Sequence, residues 1–135
     1  MEDIFKKIYK MQHELNILVG RDTINDPEKQ KWLFDYTFAA SSECQELMDC
    51  CNWKFWSDEG HTDQYQKILN LKNSKIEAID ILHFLISIFQ ILDMTPDDIF
   101  KIYKMKHEKN ILRQKNGYSI LNKTNGDNEE IEKSL

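Results

Sequence analysis

Apolar residues recur along this chain at the spacing of helices, not of strands. Over residues 3–19, Ile4, Ile8, Met11, Leu15 and Leu18 make one stripe at helical period, and Gly20 supplies a stop. A second helix is predicted from Asp26 as N-cap and Pro27 in the first turn to about Trp56. Its apolar line passes through Leu33, Tyr36 or Phe38, Ala39, Ala40, Leu47 and Cys50 or Cys51. Residues 57–71 are polar and read as a loop with one short helical piece. A third helix is predicted from Asn73 or Ser74 to about Asp93, apolar on almost every side and therefore buried all round. Thr95-Pro96-Asp97-Asp98 opens a fourth, which ends near Gly117. Residues 122–135 are polar, acidic and without periodicity, which predicts a mobile tail. The expected fold is all-α, a four-to-five-helix bundle over residues 1–121 followed by a flexible tail over residues 122–135.

Two carboxylate pairs interrupt these apolar lines. Glu43 and Glu46 stand three residues apart in the second helix, and Glu77 and Asp80 three apart in the third, so each pair shares a helix face. A carboxylate on an apolar helix is costly unless a metal or a partner compensates it. Two such pairs facing each other would offer four oxygen donors, the hard set that Mg²⁺ prefers, with room for substrate phosphates. The plainer alternatives are solvated surface pairs and, for Glu77, a capping box with Ser74. The capping box leaves Asp80 unexplained, and an all-apolar helix weighs against a solvated pair there. His83, on the same helix, is by default a hydrogen-bonded core histidine.

An internal repeat is present. Residues 8–18 and 102–112 differ only at Gln12/Lys106 and Leu15/Lys109, and an Asp-Ile-Phe-Lys block precedes each copy. Two copies do not make a solenoid; the repeat predicts quasi-equivalent first and fourth helices around one core. Gln12 can hydrogen-bond a neutral group, whereas Lys106 can meet a phosphate.

Composition narrows the classes. At 135 residues with 41% apolar content, a single domain with a real core is expected. The net charge of −5 argues against a nucleic-acid duplex as partner. A free nucleotide remains compatible, because a bound cation reverses the local sign. Cys44, Cys50 and Cys51 are odd in number and lack metal-site spacing, which predicts reduced thiols and a reducing compartment. No signal peptide is visible, and the longest apolar run, residues 81–91, is too short to span a bilayer. A soluble, intracellular and most simply cytoplasmic protein is expected, with no membrane partner.

Asn52-Trp53-Lys54-Phe55-Trp56 gathers aromatics at a helix end, either as a hydrophobic plug or as a wall for a planar base. Arg113 to Tyr118 gathers cations where the fourth helix runs out; they suit the helix dipole, and Arg113 equally suits a phosphate.

Taken in order, these pieces resemble the dimeric all-α dUTPases of the MazG-like nucleoside triphosphate pyrophosphohydrolases. The matching residues are Gln12-x-x-Leu-Asn16, then Glu43-x-x-Glu46 with Asn-Trp-Lys-Phe-Trp56, then Glu77-x-x-Asp80 with His83-Phe84. Last comes Lys106-x-x-x-Asn110-x-x-Arg113-Gln114-x-x-Gly117-Tyr118, while residues 57–73 carry no matching piece beyond their charges. The resemblance implies that Glu43, Glu46, Glu77 and Asp80 coordinate Mg²⁺ on the triphosphate. It implies that Gln12 and Asn16 read uracil and sugar, that Trp53 or Trp56 closes that pocket, and that His83 belongs to the substrate site. Lys106, Asn110, Arg113 and Tyr118 would hold phosphate or sugar. The implied reaction is attack of water on the α-phosphorus of dUTP, giving dUMP and pyrophosphate, with Glu46 taking the proton and Glu43 beside it. The implied assembly is a homodimer, with dUDP as an open second substrate. A related pyrophosphohydrolase for dCTP or another nucleotide, and a non-catalytic helical interaction module, are the competing readings.

Overall fold

A computed structural model describes residues 3–117 and 126–135. The described residues fall into two compact units, divided at Asp93 and Met94. The first holds α1 (Ile4–Leu18), α2 (Leu33–Asp49) and α3 (Leu71–Ile91); the second holds α4 (Pro96–Lys115) and α5 (Gly126–Glu132).

Helix α1 starts on Asp3, whose carboxylate accepts the Phe5 amide at 3.0 Å. It ends as the apolar stripe ends, and Gly20 turns the chain at φ 81°. Asp22 closes the next turn by accepting the amides of Asn25 and Ile24 and meeting His13 Nε2 at 2.9 Å. The Asn25 amide, and after it the bond to His13, hold the Asp22 carboxyl well below the usual carboxylate range.

The second helix is shorter than its pattern suggests. Asp26 accepts the Glu28 amide, but the chain then makes a 3₁₀ turn, Lys29–Trp32, and α2 begins only at Leu33. Nor does it reach Trp56. At Cys51 the chain bridges to Ile68, and the Asn52 amide donates to the Lys67 carbonyl at 2.8 Å. The backbone is thereby drawn off the helical path, leaving residues 53–56 in a loop. That loop carries a second short 3₁₀ helix, Asp58–His61, capped by Ser57.

Helix α3 begins earlier than predicted, at Leu71, because Asn70 caps it by accepting the Asn73 amide at 3.0 Å. It packs against both α1 and α2 and so forms the centre of the unit, with Ile86 and Ile91 fully buried. It is not buried all round: Ile76 and Ile79 are 59% and 53% exposed, since α1, α2 and the 3₁₀ turn Lys29–Trp32 cover only part of its circumference. Buried Lys29 reaches across to donate to the Ile24 carbonyl and pairs with Asp93.

In the second unit, Thr95 and Asp98 form a reciprocal capping box at the start of α4. Within the segment that reads as a tail, Gly126–Glu132 is helical and Ile131 is buried. This one apolar side chain finds a seat beside Met105 and Leu112 of α4, a contact that a search for periodicity does not register. The near-identical helices α1 and α4 thus belong to different units. Among the described residues no single helix is long and apolar enough to cross a membrane.

Gly60 sits where a Cβ would press into the backbone carbonyls of Phe55 and Lys54. Gly60→Ala is therefore expected to lower stability by about 1–3 kcal/mol in urea unfolding. An unchanged midpoint would show that the loop yields at no cost.

Candidate functional site

Three carboxylates from two helices converge. Glu77 and Asp80 stand one turn apart on α3, and Glu43 reaches them from α2; one oxygen from each lies within 4.8 Å of the others. The capping box open to Glu77 does not form. Asn70 holds the helix start instead, Ser74 donates to the Asn70 carbonyl, and Asn73 Nδ2 donates to Glu77 at 2.9 Å. Glu77 is thus steered by a neighbour one turn back and kept for the cluster.

All three are half-buried, whereas Glu46, one turn along α2, is exposed. Partial burial raises the pKa of Glu43, and repulsion from Glu46, Asp80 and Glu77 raises it further. All four acidic groups therefore act on one locus. An all-oxygen set of this kind suits a hard divalent cation such as Mg²⁺, which takes few protein carboxylates and leaves room for phosphate oxygens.

Gln12 and Asn16 lie in a buried polar network joining α1 to α3. Gln12 Nε2 donates to Asn16 Oδ1 at 3.1 Å, and Gln12 Oε1 meets His83 Nδ1 at 2.5 Å. Asn16 Nδ2 faces Thr23, Ser87 and Gln90 at 3.0–3.2 Å, while the Tyr36 hydroxyl donates to Asn16 Oδ1 at 3.2 Å. Burial raises the Tyr36 pKa, which keeps that hydroxyl protonated as a donor. His83 itself is exposed rather than a core residue.

Trp53 and Trp56 meet edge to face with centroids 5.6 Å apart, and Phe55 packs on Trp56 in the same way. Trp53 Nε1 donates to Asp49 at 2.9 Å, and both line a cavity of about 460 Å³ with Asn52, Lys54 and Ser57. Asp49 lies one helical turn beyond Glu46 on α2.

Lys106, Asn110 and Arg113 lie in the other unit, along α4. Lys106 donates to Asn128 of α5 at 2.8 Å. Tyr118 lies outside the described residues.

Sequence reasoning missed Asp49, Asn73, Thr23, Tyr36, Ser87 and Gln90. Asn73 carries a detectable signal, four residues before Glu77, and Asp49 another, three residues after Glu46. The rest come together only in the folded chain.

A family model described as dUTPase matches residues 4–90. A dCTP pyrophosphatase of Enterobacteria phage T4 is 35% identical over 71 residues, covering 49% of this chain and 42% of that protein. A dCTP pyrophosphatase of Enterobacteria phage LZ5 is 37% identical over 71 residues, covering 49% of this chain and 41% of that protein. The match therefore spans less than half the length of either relative. No solved structure matches the chain.

The raised pKa of Glu43 fixes the sign of one stability effect. Its ionisation costs the folded state more than the unfolded one, so stability falls as pH rises through its folded-state pKa. Without added metal, Glu43→Gln is expected to raise Tm at pH 7 by about 2 °C, with the gain shrinking as acid protonates Glu43 in the parent chain. A lower Tm at neutral pH would count against the crowding.

Proposed function

The chain belongs to the dUTPase family, and on that premise we propose that it hydrolyses dUTP to dUMP and pyrophosphate in a Mg²⁺-dependent reaction. The observation that carries this reading is the convergence of Glu43, Glu77 and Asp80, with Glu46 beside them, at the contact of α2 and α3. Solvated surface acids do not need two helices and an Asn73 brace to approach one another.

In this reading the four acidic side chains hold Mg²⁺. When bound, the ion neutralises triphosphate charge and favours ionisation of water. Glu46, exposed and one turn from Glu43, takes the proton from the attacking water. The water oxygen bonds to the α-phosphorus, the bond to the α,β-bridging oxygen breaks, and pyrophosphate departs with that oxygen. Trp53 and Trp56, beside the cavity that begins at Asp49, flank the nucleoside. His83, exposed on α3, forms its polar contact, with Gln12 and Asn16 buried behind it. dUDP would fit the same chemistry with a shorter leaving group.

A homodimer is part of the proposal. Phe34 and Phe38, stacked on each other, stay exposed on α2, as do Ile76 and Ile79 on α3. Apolar rows on two adjacent helices are what a second copy would cover.

The two phage relatives favour a second reading, in which the preferred substrate is dCTP. The base is the only difference, so the same assay separates them: pyrophosphate release from dUTP, dCTP, dTTP and UTP, each with Mg²⁺ and with a chelator. Mg²⁺-dependent turnover of dUTP above the others is expected. A dCTP preference keeps the acidic site and changes the base, while no turnover of any nucleotide leaves a non-catalytic helical module. Glu46→Gln is expected to lower kcat by about 10²–10⁴-fold with the fold retained. Unchanged turnover would remove Glu46 as the base.

A further inference from the structure

A neutral histidine is ambiguous, because either ring nitrogen can carry the proton, and the hydrogen bond at one nitrogen decides what the other offers. His83 meets Gln12 Oε1 through Nδ1, and a carboxamide is itself ambiguous end for end. The buried network removes both ambiguities, starting from the group most distant from His83.

That group is the backbone carbonyl of Tyr9, which can only accept. Gln90 is 1% exposed and turns its amide to it at 2.8 Å, so the nitrogen must face Tyr9. Gln90 Oε1 is then left to accept from the Thr23 hydroxyl at 2.5 Å and from Asn16 at 3.2 Å, which requires Asn16 to present Nδ2. Asn16 Oδ1 must therefore face Gln12 and the Tyr36 hydroxyl, and Gln12 must present Nε2 to it. Gln12 Oε1 then points at His83, so Nδ1 must carry the hydrogen. Turning any one amide over sets two oxygens, or two NH₂ groups, against each other at hydrogen-bond distance. Water cannot relieve the conflict, because Gln12, Asn16 and Gln90 are 5%, 2% and 1% exposed.

We propose that Gln90 is a positioning residue which, through Asn16 and Gln12, locks His83 in its Nδ1–H tautomer and so makes Nε2 an acceptor toward the nucleoside. This rests on the reading of His83, backed by buried Gln12 and Asn16, as the polar contact of the nucleoside. It deepens that reading by fixing the sign of the contact. Nε2 selects a donor, such as a ring N–H, an exocyclic NH₂ or a sugar hydroxyl, and rejects a carbonyl oxygen. His83 lies one helical turn beyond Asp80, so the acceptor is carried on the same face as the acidic cluster. Gln90 touches no substrate in this scheme; Thr23 and Ser87, fully buried hydroxyls, fill out the bonding of Asn16.

The test is the ring pattern of His83 in the full chain, without substrate or metal, by long-range ¹H–¹⁵N correlation. The spectrum of His83→Gln identifies its signals among the four histidines. The expected pattern has the hydrogen on Nδ1, against the Nε2–H form that histidine favours in water. Gln90→Met removes the amide at similar length. It is expected to return the ring toward Nε2–H and to raise KM for the preferred nucleotide about tenfold with little change in kcat. An Nε2–H ring in the parent chain overturns the proposal, as does an Nδ1–H ring that persists in a folded Gln90→Met. Should that variant not fold, the parent-chain ring pattern and Gln12→Met, which cuts the last link, decide between the same two outcomes. Because the ring is read without substrate, a chain that hydrolyses no nucleotide yet shows Nδ1–H upholds the relay and sinks only the nucleoside reading.

Discussion

Mutual repulsion among Glu43, Glu77 and Asp80 is the constraint on which the rest of the first unit depends. Three carboxylates with oxygens inside 4.8 Å oppose the contact that creates them, and partial burial makes that opposition stronger than it would be in water. Only helices already committed to pack can impose it. Helix α3 supplies the commitment by packing on both α1 and α2, so the acidic residues are carried together by contacts made elsewhere along the same helices. Asn73 then aims Glu77 locally, through a single side-chain amide.

The seam between α1 and α3 is held differently. Few large apolar side chains are fully enclosed in this unit, and what crosses the seam is a set of amides and hydroxyls. Among the described residues no buried side-chain polar atom lacks a partner. A fully satisfied polar set is directional, so it fixes rotation and register where an oily seam would tolerate sliding. That precision matters because α3 carries both Asp80 and His83. A small rotation of α3 would move the acidic cluster and the histidine together.

What was legible in the sequence, and what was not, divides by the distance over which the deciding contacts act. Asp80 stood out because a charge inside a run of Ile, Leu and Phe has few explanations, and the structure joins it to Glu77 and Glu43. The Thr95 capping box and the Gly20 stop were legible because their bonds close within a few residues. The end of α2 was not, since apolar and aromatic residues continue to Trp56 while the signal that breaks the helix is pairing with residues 64–68. Gln90 was invisible for the same reason on a larger scale: it meets Asn16 across 74 positions. Gln12 and Asn16 were marked through the family resemblance, and their partners Thr23, Tyr36 and Ser87 carry no local mark of a site.

The second unit carries a consequence for local opening. Helix α5 has only seven residues, too short to persist in water by itself, and one buried apolar side chain, Ile131, seats it beside α4. Polar ties add to it, from Lys106 to Asn128 and from Lys109 to Glu130, and screening by salt weakens the charged one. Such an element sits at the bottom of the hierarchy of native-state fluctuations, exchanging its amide hydrogens long before the interior of α3 does. Each such excursion separates an acidic segment from Lys106 and Lys109 of α4. The electrostatic face of α4 therefore depends on ionic strength through the seating of α5.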